Sequence, residues 1–167
     1  PVIGASSRLG FNFDLPYYFA ISNHQDATFY PKYTSNDGVL WQGEYRRVDV
    51  SGNHVFQTGL IDFDNSTVND GADVPGVRWH FFGAGRRKFG DNWTASYDVE
   101  RVSDDTYLRV YSIARQRDLR QEIVTSSSNR LRSNARLRWA SGSSEFTADA
   151  FLFQGLRATD DPALTPY

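Results

Sequence analysis

Asp62, Asp64, Asn65, Asp70 and Asp73 place five oxygen-bearing side chains in one short stretch, and oxygen is what calcium takes as ligand. No glycine stands where a calcium loop needs its sharp turn, so the stretch reads as a solvated acidic loop. His24, His54 and His80 fall in separate strands or turns without ligand spacing. Serine, histidine and aspartate occur throughout the chain, but no nucleophile elbow or other local signature gathers them. No catalytic residue, metal ligand or cofactor is therefore assigned, and an enzyme is not expected. The arginines carry more. Arg132, Arg136 and Arg138 share the polar side of one extended stretch, where guanidinium groups either meet phosphate or sugar acids or pair with Glu145 and Asp149 of the next stretch; pairing is the favoured reading. Pro1 and Pro16 lack the backbone N–H that a sheet ladder uses, and on the residues alone they read as strand-end prolines.

The elements that must position these groups are strands. Eight stretches alternate apolar and polar residues with period two, and in most of them the apolar row is rich in aromatics. Trp93, Ala95, Tyr97 and Val99 share one face while Thr94, Ser96, Asp98 and Glu100 share the other. Leu131, Ser133, Ala135, Leu137 and Trp139 likewise oppose Arg132, Asn134, Arg136 and Arg138. A row thinned to serine and alanine suits a lipid-facing surface better than a packed core, and the charged row suits water. Assigned to a watery interior are Asn12, Asp14, Glu44, Arg46, Asp98, Glu100, Arg132, Arg136, Arg138 and Asp149.

Composition agrees. The 167 residues include 12 Phe and 9 Tyr, yet mean hydropathy is −0.54, and no window approaches the ~18 apolar residues of a spanning helix. A helical membrane protein is excluded; a transmembrane barrel, whose strands need only ~9 to 11 residues, half of them polar, is not. The net charge of −2 argues against nucleic acid as partner. Without cysteine there are no disulfides or thiolate sites, and the absence of methionine and of a signal peptide suggests a piece of a longer protein.

About nine strands are expected. Leu9 to Leu15 alternates and continues through Tyr17 to Ile21; residues 23–26 turn; Ala27 to Thr34 follows; Asn36-Asp37-Gly38 marks a hairpin. Then come Val39 to Val50, a turn at Ser51-Gly52-Asn53, His54 to Asp62, a long loop from Phe63 to Gly76, and Val77 to Phe89. Gly90-Asp91-Asn92 leads into the Trp93 strand, a second long segment spans Ser103 to about Ser128, and the Leu131 strand turns at Ser141-Gly142-Ser143 into Phe146 to Leu152. Short turns near 24, 52 and 91 alternate with long connections near 69 and 115, the asymmetry of outer-membrane barrels, which puts the amino terminus on the periplasmic side. Trp41, Trp79, Trp93, Trp139 and Tyr17 fit interface girdles.

Three motifs then carry a resemblance. Leu15-Pro16-Tyr17-Tyr18-Phe19-Ala20-Ile21, Asp26-Ala27-Thr28-Phe29-Tyr30-Pro31-Lys32-Tyr33 and Gly43-Glu44-Tyr45-Arg46 resemble, in order and spacing, the opening barrel strands of the LptD family of lipopolysaccharide-assembly proteins. Residues 101–109, Phe153-Gln154-Gly155-Leu156-Arg157 and Asp160-Asp161-Pro162 are similar to the form of the family associated with alphaproteobacteria. Ala20-Ile21-Ser22-Asn23-His24 departs from the family's usual Asn and Pro, which leaves the geometry of the first turn open. The resemblance implies that residues 1–167 are the N-terminal part of an outer-membrane barrel domain, without the periplasmic jelly roll and the remaining strands. It further implies lipopolysaccharide as cargo, the plug lipoprotein LptE and the bridge protein LptA as partners, the latter through the jelly roll, and contact with outer-membrane lipid. By the same resemblance Pro1, Val2 and Pro16 mark a lateral gate at the first strand. Two alternatives stay open: another outer-membrane channel of porin type, and a soluble lipocalin-like module with its aromatics inside.

Overall fold

The computed structural model describes residues 1–62, 76–113 and 130–157. Among them, eleven strands and one helix occur: β1 (Val2–Ser6), β2 (Gly10–Asp14), β3 (Tyr17–Ser22), β4 (Gln25–Phe29), β5 (Lys32–Thr34), β6 (Gly38–Asp49), β7 (Gly52–Asp62), β8 (Val77–Phe89), β9 (Trp93–Val102), α1 (Tyr107–Val110), β10 (Arg130–Ser141) and β11 (Ser144–Gly155). The strands form one antiparallel sheet in the order β1-β2-β5-β6-β7-β8-β9-β10-β11, with β3 on β4 and β4 on the lower half of β6. The sheet is open, an all-β stretch of barrel wall rather than a closed barrel.

Alternation fixed the long strands closely: Val77–Phe89 has the expected bounds, and β6 and β7 differ from them by a residue or two. The first third is cut finer than its alternation suggests. The expected strand from Leu9 to Ile21 is broken at Leu15-Pro16 into β2 and β3, and the one from Ala27 to Thr34 at Tyr30-Pro31 into β4 and β5. Proline is the cause, yet the register runs on: Asp14 pairs with Lys32 and Tyr17 with Phe29, so no residue is gained or lost across the gap. Leu15 N–H still donates to the Pro31 carbonyl at 3.1 Å and Tyr30 N–H to that of Gln42 at 2.9 Å. Both pairs are therefore kinked single strands in which the prolines omit donors.

A short strand precedes these. In β1, Val2 pairs with Asp14 and Ser6 with Gly10, so the sheet edge is stepped: β1 covers β2, while below Pro16 the edge is β3, exposed along its whole length. Connections 23–24, 50–51, 90–92 and 142–143 lie at one end and are all tight; 7–9, 35–37, 63–76 and 103–129 lie at the other. The Asp37-Gly38 hairpin forms as expected, with Gly38 at φ +88°, a conformation that costs glycine little. The second long segment is not only loop: its start folds into α1, which packs back on the sheet. Tyr107 and Tyr111, fully buried, join Leu9, Leu40, Ile61, Phe82, Val102 and Leu131 in the core.

Leu131 and Ser133 correct the expected lipid-facing row. Both are buried, 1% and 5% exposed, because β10 pairs with β9 only from Asn134 downward. Above that point side chains replace the ladder. Ser133 Oγ accepts from Glu100 N–H at 2.9 Å and donates to its carbonyl at 3.1 Å, and Gln154 bridges the Val102 N–H and carbonyl at 3.2 and 2.8 Å. The β10–β11 hairpin thus rolls over the end of β9, carrying Leu131 into the core.

Candidate functional site

The register sorts the side chains into two faces. Thr28, Glu44, Gln57, Phe82 and Glu100 form one rung; Asp26, Arg46, Val55, Ala84, Asp98 and Asn134 form the next. By the same pairing Asn12 and Asp14 reach this charged face through Thr34 and Lys32, and Arg136, Arg138 and Asp149 through β10 and β11. Nine of the ten polar residues expected to share a face therefore do so across the regular ladder. Arg132 lies where the hairpin rolls away: its guanidinium sits 5.4 Å from the Phe151 ring centre, and its backbone N–H donates to Glu100 Oε2 at 3.0 Å.

Charge on this face is mostly paired. Lys32 lies 3.8 Å from Asp14, Arg46 2.8 Å from Asp26 and 3.6 Å from Glu44. Arg136 forks onto Asp149 at 2.6 and 3.2 Å and Arg138 onto Glu145 at 2.7 and 2.8 Å, so two of the three arginines pair as expected. Fixed fork geometry on an exposed cross-strand pair adds register more than energy.

A buried network roofs the charged face at the end of the long connections. Arg78, 1% exposed, donates to both oxygens of Asp104 at 2.9 and 2.6 Å and to Thr106 Oγ1 at 2.7 Å, with the rings of Tyr107 and Tyr111 beside it. Tyr107 Oη meets His80 Nδ1 at 3.1 Å, and a Cβ at Gly59 would stand 2.5 Å from His80, so only glycine leaves room for this contact. Tyr111 donates to Asp37 at 3.0 Å, and Arg8 reaches the same carboxylate at 3.3 Å. Three connections are thereby tied together. Burial works against the charged Asp104 carboxyl, but the bonds from Arg78, Ser103 and Thr106 outweigh it and hold it below its ordinary value. Burial, reinforced by Asp37, pushes the Tyr111 hydroxyl up, and burial beside Tyr111 does the same for Tyr107. Nothing in the period-two pattern pointed to this roof; the signal was Tyr107, Leu108, Val110 and Tyr111 at helical spacing inside a segment expected to be loop.

The other face is aromatic. Trp41, Tyr45, Phe56, Trp79, Phe81, Trp93, Tyr97, Leu137 and Phe146 lie on it, with stacked contacts such as Phe29–Trp41 at 5.9 Å and Phe56–Tyr97 at 6.2 Å. Its charges are confined, among the described strands, to Arg47, Asp49, Asp62, Arg87 and Arg101 at or near strand ends. Leu137, Trp79 and Trp93 are 40%, 39% and 40% exposed, which a water-facing surface of this extent rarely tolerates. His54 stacks on Tyr97 here, and its Nδ1 is hydrogen-bonded with the Tyr97 hydroxyl at 2.9 Å.

The edge residues are placed less evenly. Val2 opens β1, exposed, with Pro1 just before it. Leu15 directs its backbone to β5, so its neighbours Asp14 and Pro16 direct theirs to the opposite side, where Asp14 pairs with Val2. The missing donor of Pro16 therefore faces the open edge, whereas that of Pro31 faces the Leu15 carbonyl inside the sheet. Of the acidic loop, Asp62 ends β7 and Asp64, Asn65, Asp70 and Asp73 lie outside the described residues, among which no cluster of three potential metal ligands occurs.

With two contrasting faces on one open sheet established, the comparisons are specific. The family model "LPS transport system D" matches residues 76–167, more than half of the sequence. The chain belongs to the LptD family. It is 29% identical over all 167 residues to the LPS-assembly protein LptD of Bordetella pertussis, 34% identical over 109 residues, 65% of the chain, to that of Marinobacter nauticus, and 31% identical over 123 residues, 73% of the chain, to that of Hahella chejuensis. It spans 19%, 14% and 15% of the length of these LptD relatives.

Proposed function

We propose that this chain is the first stretch of an outer-membrane barrel that delivers lipopolysaccharide to the outer leaflet, its aromatic face toward lipid and its charged face lining the passage. One observation carries the reading: across eleven strands, charge is absent from the middle of one face and concentrated on the other. Family membership supplies the cargo, because the relatives are named LPS-assembly proteins.

In this reading the tight-turn end is periplasmic and the long connections external. The stepped edge formed by β1 and β3, around Pro1, Val2 and Pro16, is the lateral gate: with its donor missing on that side, Pro16 weakens any strand that pairs there, so the seam parts at lower cost. Lipid A leaves through the seam while the sugars stay against the charged face. A plug lipoprotein such as LptE sits within the completed barrel, and LptA delivers through the jelly-roll domain of the whole protein.

Photo-crosslinking side chains placed one at a time in the full-length protein in growing cells test this. Tyr18 and Asn134, on the charged face, are expected to capture lipopolysaccharide; Phe19 and Ala135, their neighbours on the aromatic face, are expected to capture membrane phospholipid. Equal capture on both faces, or no lipopolysaccharide at Tyr18 and Asn134, overturns the reading.

A further inference from the structure

Cations on the charged face have partners in all but one place. Lys32, Arg46, Arg78, Arg136 and Arg138 each have a carboxylate within 4 Å, and Arg130 and Arg132 lie over the rings of Phe153 and Phe151. The side chains of Arg86 and Lys88 of β8 make no ion pair or hydrogen bond among the described residues, and both residues are exposed. Arg87 between them points to the aromatic face and helps hold Asp49, whose oxygens are already taken by the N–H groups of Ser51 and Gly52 and by Arg47.

Position adds to this. Arg86 and Lys88 are two residues apart on one face, so their Cα atoms stand about 7 Å from each other. Asn53 and Ser96 flank Arg86, Thr94 flanks Lys88, and Arg136 and Arg138 follow one strand further on, opposite Ser96 and Thr94. This corner holds four cations against the carboxylates of Asp149 and Glu145, with amide and hydroxyl groups between them and Asp98 one rung further on. Arg86 and Lys88 also line, with the 49–53 turn, a shallow concavity of about 230 Å³. It lies beside the tight turns 50–51 and 90–92, far from the roof. A fork-shaped donor, a point charge and neutral donors around an open concavity make a site for an oxyanion.

We propose that Arg86 and Lys88 form an anion-binding rung at the tight-turn end of the charged face, which takes the phosphate or carboxylate substituents of lipopolysaccharide sugars as they enter the passage. This rests on the transport reading and adds a location and a chemistry to it. Arg86 supplies bidentate bonds to one oxyanion and Lys88 its counter-charge, Arg136 and Arg138 being already forked onto Asp149 and Glu145.

The test places a photo-crosslinking side chain at Ser96 of the full-length protein in growing cells, with Tyr18 as a second reporter on the same face far from the rung. Arg86→Ala with Lys88→Ala is expected to lower lipopolysaccharide capture at Ser96 about tenfold, the size of a lost charge-assisted contact, and to leave Tyr18 unchanged. The charge-keeping exchange Arg86→Lys with Lys88→Arg is expected to retain most of the capture, and heat-modifiable gel mobility checks that each variant folds. Capture at Ser96 that stays within about twofold in the folded double-alanine protein, with Tyr18 still reacting, overturns the rung and leaves the transport reading standing. Loss of capture at both positions in the unaltered protein removes both. In cells whose lipopolysaccharide lacks core phosphates, a fall at Ser96 matching the double-alanine variant assigns phosphate as the ligand, and undiminished capture assigns carboxylate.

Discussion

Replacing Ala135 by arginine puts a charge where the proposed reading places the middle of the membrane. On the aromatic face Trp93 pairs with Trp139 at one end of β9, and at the other end Ser103 N–H bonds the Trp79 carbonyl. The ten residue steps from Trp93 to Ser103 span about 33 Å along the strand, and a tilt of about 40° turns this into about 25 Å of height, the thickness of an outer-membrane apolar band. Ala135 pairs with Tyr97, close to half-way, and is exposed on that face. Arginine there costs ~2 to 4 kcal/mol, a ~30- to ~900-fold shift in the folding equilibrium, since lipid cannot solvate it and snorkelling to either end is long. Ala95 is only two residues from Trp93, so Ala95→Arg costs less, at most about 1 to 2 kcal/mol. Asn134, adjacent to Ala135 but on the charged face, accepts arginine with little change. The assay is urea-dependent folding of the full-length protein into lipid vesicles, read as the fraction with heat-modifiable mobility. Equal costs at Asn134 and Ala135, or a larger cost at Ala95 than at Ala135, would refute the depth and face assigned here.

The two internal prolines separate by direction. Pro31→Ala returns a donor to the Leu15 carbonyl and is expected to raise the unfolding free energy by a net ~0.5 to 1.5 kcal/mol, read as a higher urea midpoint, whereas Pro16→Ala places its new N–H at the open edge and leaves the midpoint of this sheet unchanged. Pro1→Ala with Pro16→Ala is expected to slow delivery of lipopolysaccharide to the cell surface and to admit large hydrophobic antibiotics; normal delivery reduces both to strand-end residues. The Asp104 carboxyl lies below its ordinary 3.8 when folded, so its stabilisation is present above that value and is lost as pH falls through the depressed one; Asp104→Asn costs about 3 kcal/mol at neutral pH and flattens this acid limb in pH-dependent unfolding. Epitope tags at Asn69 or Arg117 are expected to be reached by antibody on intact cells and a tag at Gly52 is not; surface labelling of Gly52 inverts the topology.

Sequence periodicity revealed the long strands because each keeps one row in contact with each of two very different environments. Trp93–Val102 shows this directly: Trp93, Ala95, Tyr97 and Val99 alternate with Thr94, Ser96, Asp98 and Glu100, and only Arg101 and Val102 at the end break the pattern. The pattern weakens where that contrast does. Val2–Ser6 is short and nearly uniform in polarity, so β1 left no alternation to read. At Leu15-Pro16 and Tyr30-Pro31 side chains keep alternating while the backbone omits donors, and a side-chain pattern cannot report that. Leu131 and Ser133 continue the row of Ala135 and Leu137, but Ser133 and Gln154 take over the ladder bonds of Glu100 and Val102, and the roll of the hairpin follows from these two side chains rather than from periodicity. Of the candidate site, the charged row and the pairing of Arg136 and Arg138 were legible because opposite charges recur at matching positions of adjacent strands. The roof was not, since Asp37 and Tyr111 lie 74 residues apart and only the fold brings them together.

The central claim is that the two faces meet different solvents, and it is tested most directly by spin labels placed one at a time from Thr94 to Glu100 in the full-length protein in lipid vesicles. Collision with lipid-soluble oxygen is expected to peak at Ala95, Tyr97 and Val99, and collision with a water-soluble nickel complex at Ser96 and Asp98, the two alternating with opposite phase. Curves in the same phase, or oxygen peaking at Ser96 and Asp98, would contradict the account.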